Sequence, residues 1–197
     1  MPNTPLCLKS KKIKEEGLDT TEETMADWIV NSSKNYLAPL FERMKQKLLT
    51  FPDRPTAKIP IGTNSNYYIT VYYSADTSTK YPIVIYDCSE KHSKSSDTDG
   101  VSIDPKSLEP FLDENEDDYD EFDNTLWKLY EKNGTYSSTV IYSLFKTANL
   151  NKLNTKDYFE YLLTELPKLC DTNGIIDSTK LDDFLPWSSN LPENCRN

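Results

Sequence analysis

The sequence predicts an α+β fold: N-terminal helices, a small antiparallel β-hairpin or sheet in the middle, and a C-terminal helical module. Three observations carry this. Apolar residues recur at helical spacing near both ends. Between them lie two stretches rich in β-branched and aromatic residues, NYYITVYYS (66–74) and YPIVIYDC (81–88). An acidic run at 113–123 then separates the middle from the last part. The expected division is a helical segment at 1–50, a sheet segment at 51–112, an acidic linker at 113–134 and a helical module at 135–197.

Residues 1–16 begin as coil and turn basic at Lys9, Lys11, Lys12 and Lys14. Gly17-Leu18 reads as a helix stop. Thr20 then reads as an N-cap with Glu23 at the capping-box position, and a helix runs from Thr21 past Ser33 with Met25, Trp28, Ile29 and Ser32 inward. Tyr36, Leu37, Leu40, Phe41, Met44 and Leu48 continue at helical spacing, with Pro39 either kinking this helix or sitting in its first turn. A basic helix, a glycine turn and a capped second helix form a candidate helix-turn-helix. Two packed helices explain the same spacing, and Glu22, Glu23 and Asp27 on the second helix would face phosphates unfavourably. Contacts from the lysines would position a DNA backbone rather than read bases.

Pro52, Pro55 and Pro60 are expected to interrupt any regular element before Gly62. The two strands follow, joined through ADTSTK. Residues 89–107 are polar, with a turn signal at Asp97-Thr98-Asp99-Gly100, and LWKLYEK (126–132) carries Trp127 and Tyr130. In the last module, Val140, Ile141, Leu144, Phe145 and Ala148 define one helix face. Asn154 with Asp157 caps a second helix, whose face is Tyr158, Phe159, Leu162, Leu163 and Leu166 and which Pro167 stops. A third short helix is expected near 178–185, capped by Asp177 or Ser178, with Leu181, Phe184 and Leu185 inward and Trp187 docked.

The chain has 197 residues, 37% of them apolar and 12% aromatic, enough for one domain with a core or two small ones. No run approaches eighteen apolar residues and no basic-then-apolar leader opens the chain, so a cytoplasmic protein without membrane contact is expected. Cys7, Cys88, Cys170 and Cys195 are scattered and His92 is the one histidine, which argues for free thiols and against zinc. The net charge is −10, but residues 113–123 hold eight acids and no base, leaving a nearly neutral body. Loose cation binding or mimicry of nucleic-acid charge is the functional alternative to a solvated linker here. No glycine-rich phosphate loop and no nucleophile elbow occurs.

The text STVIYSLFKTANLNKLNTKDYFEYLLTELP, followed by LDDFLPW and LPENCR, resembles the closing segment of insertion sequence 66 family transposases. GLDTTEETMADWIVNSSKNYLAPLFERMKQKLL resembles the segment before that family's catalytic domain, and NYYITVYYS and YPIVIYDC resemble its second and third strands. These matches cover about two-thirds of the chain, in the family's order. The resemblance implies that the middle is a sheet remnant of a ribonuclease H-like core, in which three acidic residues hold two magnesium ions for DNA strand cleavage and transfer.

The departures from the family pattern bear on activity. Asp53 stands where the first acid would be, in FPDRP rather than Ala-Asp-Glu-Thr, and Asp-Arg-Pro is also an ordinary turn. Asp99, in Thr-Asp-Gly-Val, stands where the second would be, but KHSKSSD replaces the apolar strand before it. No third acid is found on a helix; Glu109, Glu114 and Glu116 lie in or beside an acidic linker, which cannot hold metal geometry. The resemblance therefore implies a partial or internally deleted transposase that has lost strand transfer. DNA, a full-length transposase or a second copy are its expected partners, and no cofactor is expected. The alternatives are an active magnesium-dependent transposase with Asp53 and Asp99 as catalytic metal ligands, and a small acidic protein-interaction module.

Overall fold

A computed structural model describes residues 6–51, 56–60, 67–74, 81–90, 134–172 and 174–197. The architecture is α+β: helices from both ends of the chain share a core with a three-stranded antiparallel sheet.

Helix α1 (Leu6–Glu15) ends in a Schellman turn. The Gly17 N–H donates to the Lys14 carbonyl and the Leu18 N–H to the Ile13 carbonyl, both at 3.1 Å. Gly17 has φ +99°, a backbone conformation that glycine adopts without a Cβ penalty. Helix α2 (Glu22–Ser32) is capped by Thr21, one residue later than the sequence suggested: the Thr24 N–H donates to Thr21 Oγ1 at 3.1 Å, while Thr20 is buried. The expected inward face is also corrected, because Met25 is buried but Trp28 is 49% exposed.

From Ser33 to Leu37 the helix widens into a single π-turn before continuing as α3 (Ala38–Leu48). In an uninterrupted α-helix the ring of Pro39 would collide with the carbonyl four residues earlier and leave it without a donor. The wider turn, with the Ala38 N–H reaching the Ser33 carbonyl, accommodates the proline in the first turn of α3. Leu37, Leu40, Phe41, Met44 and Leu48 are all buried, as the helical spacing predicts.

Strand β1 (Thr56–Pro60) corrects the expectation of an interrupted segment. It pairs antiparallel with β2 (Tyr67–Tyr73), from Thr56 opposite Tyr72 to Pro60 opposite Tyr68. Pro60 is the last residue of a strand at the side of the sheet, a position where the missing N–H is tolerated. Strand β3 (Val84–Glu90) pairs antiparallel with the other side of β2, with Tyr73 opposite Val84 and Ile69 opposite Cys88. Both faces of the sheet are apolar. Ile83 and Ile85 join the main core, whereas Val71, Tyr73 and Val84 form a second cluster on the reverse face with Ile69, Tyr86 and Leu150.

Helix α4 (Gly134–Leu150) lies along β3, and helix α5 (Thr155–Glu165) follows after a short turn. Asn154 caps α5 as expected: its Oδ1 accepts from the Asp157 N–H at 3.4 Å, and its Nδ2 donates to the Asp157 carboxylate at 2.7 Å. Val140, Leu144, Ala148, Tyr158, Leu162 and Leu166 are fully buried, but Phe145 and Leu163 are exposed, so each apolar face is narrower than the spacing implied. Pro167 lies in a 3₁₀ turn (Leu166–Leu169) that ends α5.

The expected third helix is a 3₁₀ segment (Ser178–Phe184). Asp177 caps it, accepting from the Thr179 N–H at 3.0 Å, and Leu181, Phe184 and Leu185 are buried. Trp187 stacks on Tyr81 at 4.7 Å between ring centroids, with Phe51 edge-on to Tyr81 at 5.9 Å. The last residues are tied back to the turn before α5, where the Asn154 N–H donates to the Cys195 carbonyl at 2.9 Å. One core thus draws on α3, the sheet, α4, α5 and the residues after α5.

Two polar links hold these pieces in place. Arg43 on α3 makes a two-pronged contact with Asp182, at 2.6 Å from Nε and 2.9 Å from a terminal guanidinium nitrogen, and Lys47 adds a third at 3.1 Å. The buried Tyr158 hydroxyl donates to the Phe184 carbonyl at 2.7 Å.

Candidate functional site

Asp53 and Asp99, which the family resemblance implies as metal ligands if the chain is active, lie outside the described residues, as do His92, the acidic run 113–123 and Trp127. Among the described residues, no group of three His, Cys, Asp or Glu side chains is arranged to hold a metal ion.

The basic cluster is described. Lys9, Lys11, Lys12 and Lys14 all fall on α1, which packs against α2. Lys11 and Lys12 are exposed. Lys14 pairs with Asp19 at 2.8 Å just past the glycine turn; the hydrogen bond, and then the opposite charge, raises the lysine pKa and lowers that of the aspartate. A phosphate approaching Lys14 must compete with that carboxylate. Glu22 and Glu23 open α2, and Asp27 beside Trp28 is exposed. The α1–α2 pair has the order of a helix-turn-helix, but the basic residues are on its first helix and the carboxylates on its second. That arrangement suits backbone phosphate contact by α1 and not insertion of α2 into a groove.

A second polar grouping was not anticipated from the sequence. Asp87 on β3 and Glu42 on α3 both act on Tyr136 at the start of α4, whose phenol pKa is raised first by burial, then by Glu42 and by Asp87. Tyr72 on β2 is raised by burial and then by Asp87, and Tyr142 by burial and then by Tyr86. The raised pKa values keep these phenols protonated near neutral pH.

Cys170 and Cys195 carry free thiols, as expected. Cys195 is fully buried, and burial followed by the nearby Asp157 raises its pKa, opposite to the shift a nucleophilic thiolate requires.

The least expected feature is the polar side of α4. Ser137, Ser138, Thr139, Ser143 and Thr147 are all buried, and no helix-period pattern of apolar residues marks them as inward. Ser143, Thr147 and Asn151 form a row at four-residue spacing. Ser143 Oγ accepts from the Tyr86 N–H at 2.9 Å, Thr147 Oγ1 accepts from the Val84 N–H at 3.1 Å and donates to the Val84 carbonyl at 3.0 Å, and Asn151 Nδ2 donates to the Pro82 carbonyl at 2.8 Å.

Among the described residues, no helix is long and apolar enough to cross a membrane. Comparison with protein-family models, curated proteins and solved structures finds no match to this chain.

Proposed function

We propose that this chain is a transposase-derived protein of the insertion sequence 66 type, a remnant without strand-transfer activity that keeps a weak contact with DNA or with a full-length transposase. The observation that carries the reading is the order of the family-like texts: the pre-catalytic helical segment, two strands and the closing helical module follow one another in a single chain. Its support in the fold is that these segments share one core. The antiparallel three-stranded sheet is compatible with the opening of a ribonuclease H-like core.

Loss of activity follows from the acids. Asp53 and Asp99 are the sequence positions at which a magnesium-binding pair would fall, and a third, helix-borne glutamate is missing from the sequence pattern. Two carboxylates leave the in-line displacement without a complete two-metal clamp. DNA contact, where it survives, runs through the exposed Lys11 and Lys12 on α1.

The test is incubation of the purified chain with transposon-end DNA and magnesium. Absence of nicking, together with salt-sensitive binding weakened by the double variant Lys11→Gln/Lys12→Gln, is the expected result. Nicking abolished by Asp53→Ala would replace the remnant with an active transposase. Absence of any salt-dependent DNA binding would leave the acidic interaction module as the reading.

A further inference from the structure

Helices α1 and α2 form an arm outside the main core, which draws on the chain from Tyr36 onward. Among the described elements α1 packs against α2, and on α2 Met25 is buried. The arm leaves two large apolar side chains in solvent, Trp28 at 49% and Leu18 at 54% exposure. A half-exposed tryptophan is a large apolar area for one side chain, and tryptophan is among the residues that most often anchor an interface.

The charges of the arm are divided by helix. Lys11 and Lys12 on α1 are exposed, and so are Glu23 and Asp27, one turn apart on α2. Among the described residues none of these four takes part in an ion pair. Lys14 and Asp19, by contrast, satisfy each other across the glycine turn. One chain therefore sets a basic helix beside an acidic one, each with charges open to a partner.

We propose that the α1–α2 arm pairs with the arm of a second copy about a two-fold axis, α1 of each lying along α2 of the other. The charge division selects this occupant. A basic helix beside an acidic one is complemented by the same pair rotated half a turn, which is what an isologous interface supplies. Lys11 and Lys12 of each copy then meet Glu23 and Asp27 of the other, with Trp28 covered between the hairpins. A DNA backbone complements α1 but is repelled by α2, and a basic peptide complements α2 but is repelled by α1. The proposal is independent of the transposase reading, and its test contains no DNA.

The test is the mass in solution of the full chain and its variants, read by light scattering over a range of protein concentrations. The parent moves from 22.7 kDa toward twice that mass as concentration rises. Lys11→Glu/Lys12→Glu and Glu23→Lys/Asp27→Lys each place like charges across the interface and raise the dimer dissociation constant at least about tenfold. An equimolar mixture of the two double variants restores the doubled mass, because each supplies the sign the other lacks; that recovery also shows that both are folded. Trp28→Ala weakens the dimer about tenfold or more. Ile175→Ser removes an equally exposed apolar side chain away from the arm and leaves the parent behaviour unchanged. A parent that stays monomeric across the range overturns the proposal. So does a dimer indifferent to both charge reversals, or a mixture that fails to recover it.

Discussion

Replacing Asp182 by asparagine isolates the charge that ties the 3₁₀ segment to α3. The Arg43 guanidinium, and after it Lys47, holds the Asp182 carboxyl at about 2, against an ordinary 3.8. At 1.36 kcal/mol per pH unit that gap corresponds to about 2.4 kcal/mol of preference for the charged form in the folded state. Asp182 is 42% exposed, however, and solvent and salt screening reduce the net contribution to about 1 kcal/mol. The folded pKa is depressed, so this contribution is present above the unfolded value near 4 and is lost as pH falls through about 2. Urea unfolding of parent and Asp182→Asn at pH 7 and pH 2 reads it directly. With a slope of about 2 kcal/mol per molar urea, the variant's midpoint falls by about 0.5 M at pH 7, and most of the difference disappears at pH 2. Equal midpoints at pH 7, or an undiminished gap at pH 2, would refute the reasoning.

Two further outcomes are expected. Tyr158→Phe leaves the Phe184 carbonyl without its donor in a dry core and costs about 1–2 kcal/mol; in the parent, spectrophotometric titration finds this phenol silent until the chain unfolds, since burial raises its pKa well above the ordinary value. Gly17→Ala meets no steric neighbour but forces alanine to a positive φ, costing about 1 kcal/mol locally; amide exchange in α1 accelerates while that of α4 and α5 is unchanged, and Gly17→Asn recovers part of the loss.

Helical periodicity located the parts of the fold where burial follows apolar side chains. Leu40, Phe41, Met44 and Leu48 on α3, and Tyr158, Leu162 and Leu166 on α5, are inward for that reason. Asn154 with Asp157 was legible as a cap because its chemistry is local. Strand β1 was not, because Pro55 and Pro60 read as breaks, and only the position at the side of the sheet makes Pro60 admissible. Trp28 was assigned inward by hydrophobicity, yet the π-turn after α2 changes which face meets the core. The row Ser143, Thr147, Asn151 was invisible for a deeper reason: polarity normally signals solvent, and here it signals a strand edge whose backbone needs partners. At the candidate site, the α1 lysines were legible as a cluster, but the pairing of Lys14 with Asp19 depends on the glycine turn folding back and has no sequence signature.

The π-turn between α2 and α3 also acts as a counting device. Each residue added to or removed from a helix rotates everything before it by about 100° relative to everything after. Ser33 is buried in that turn, its hydroxyl donating to the Ser137 carbonyl on α4 at 3.3 Å, so the turn's position on the body is fixed. Which way α1 and its lysines face is therefore set by the number of residues between Ser33 and Leu37. A single deletion there would swing the basic helix about a quarter-turn around the molecule with no change to any lysine, and would bring the Pro39 ring against the carbonyl four residues before it.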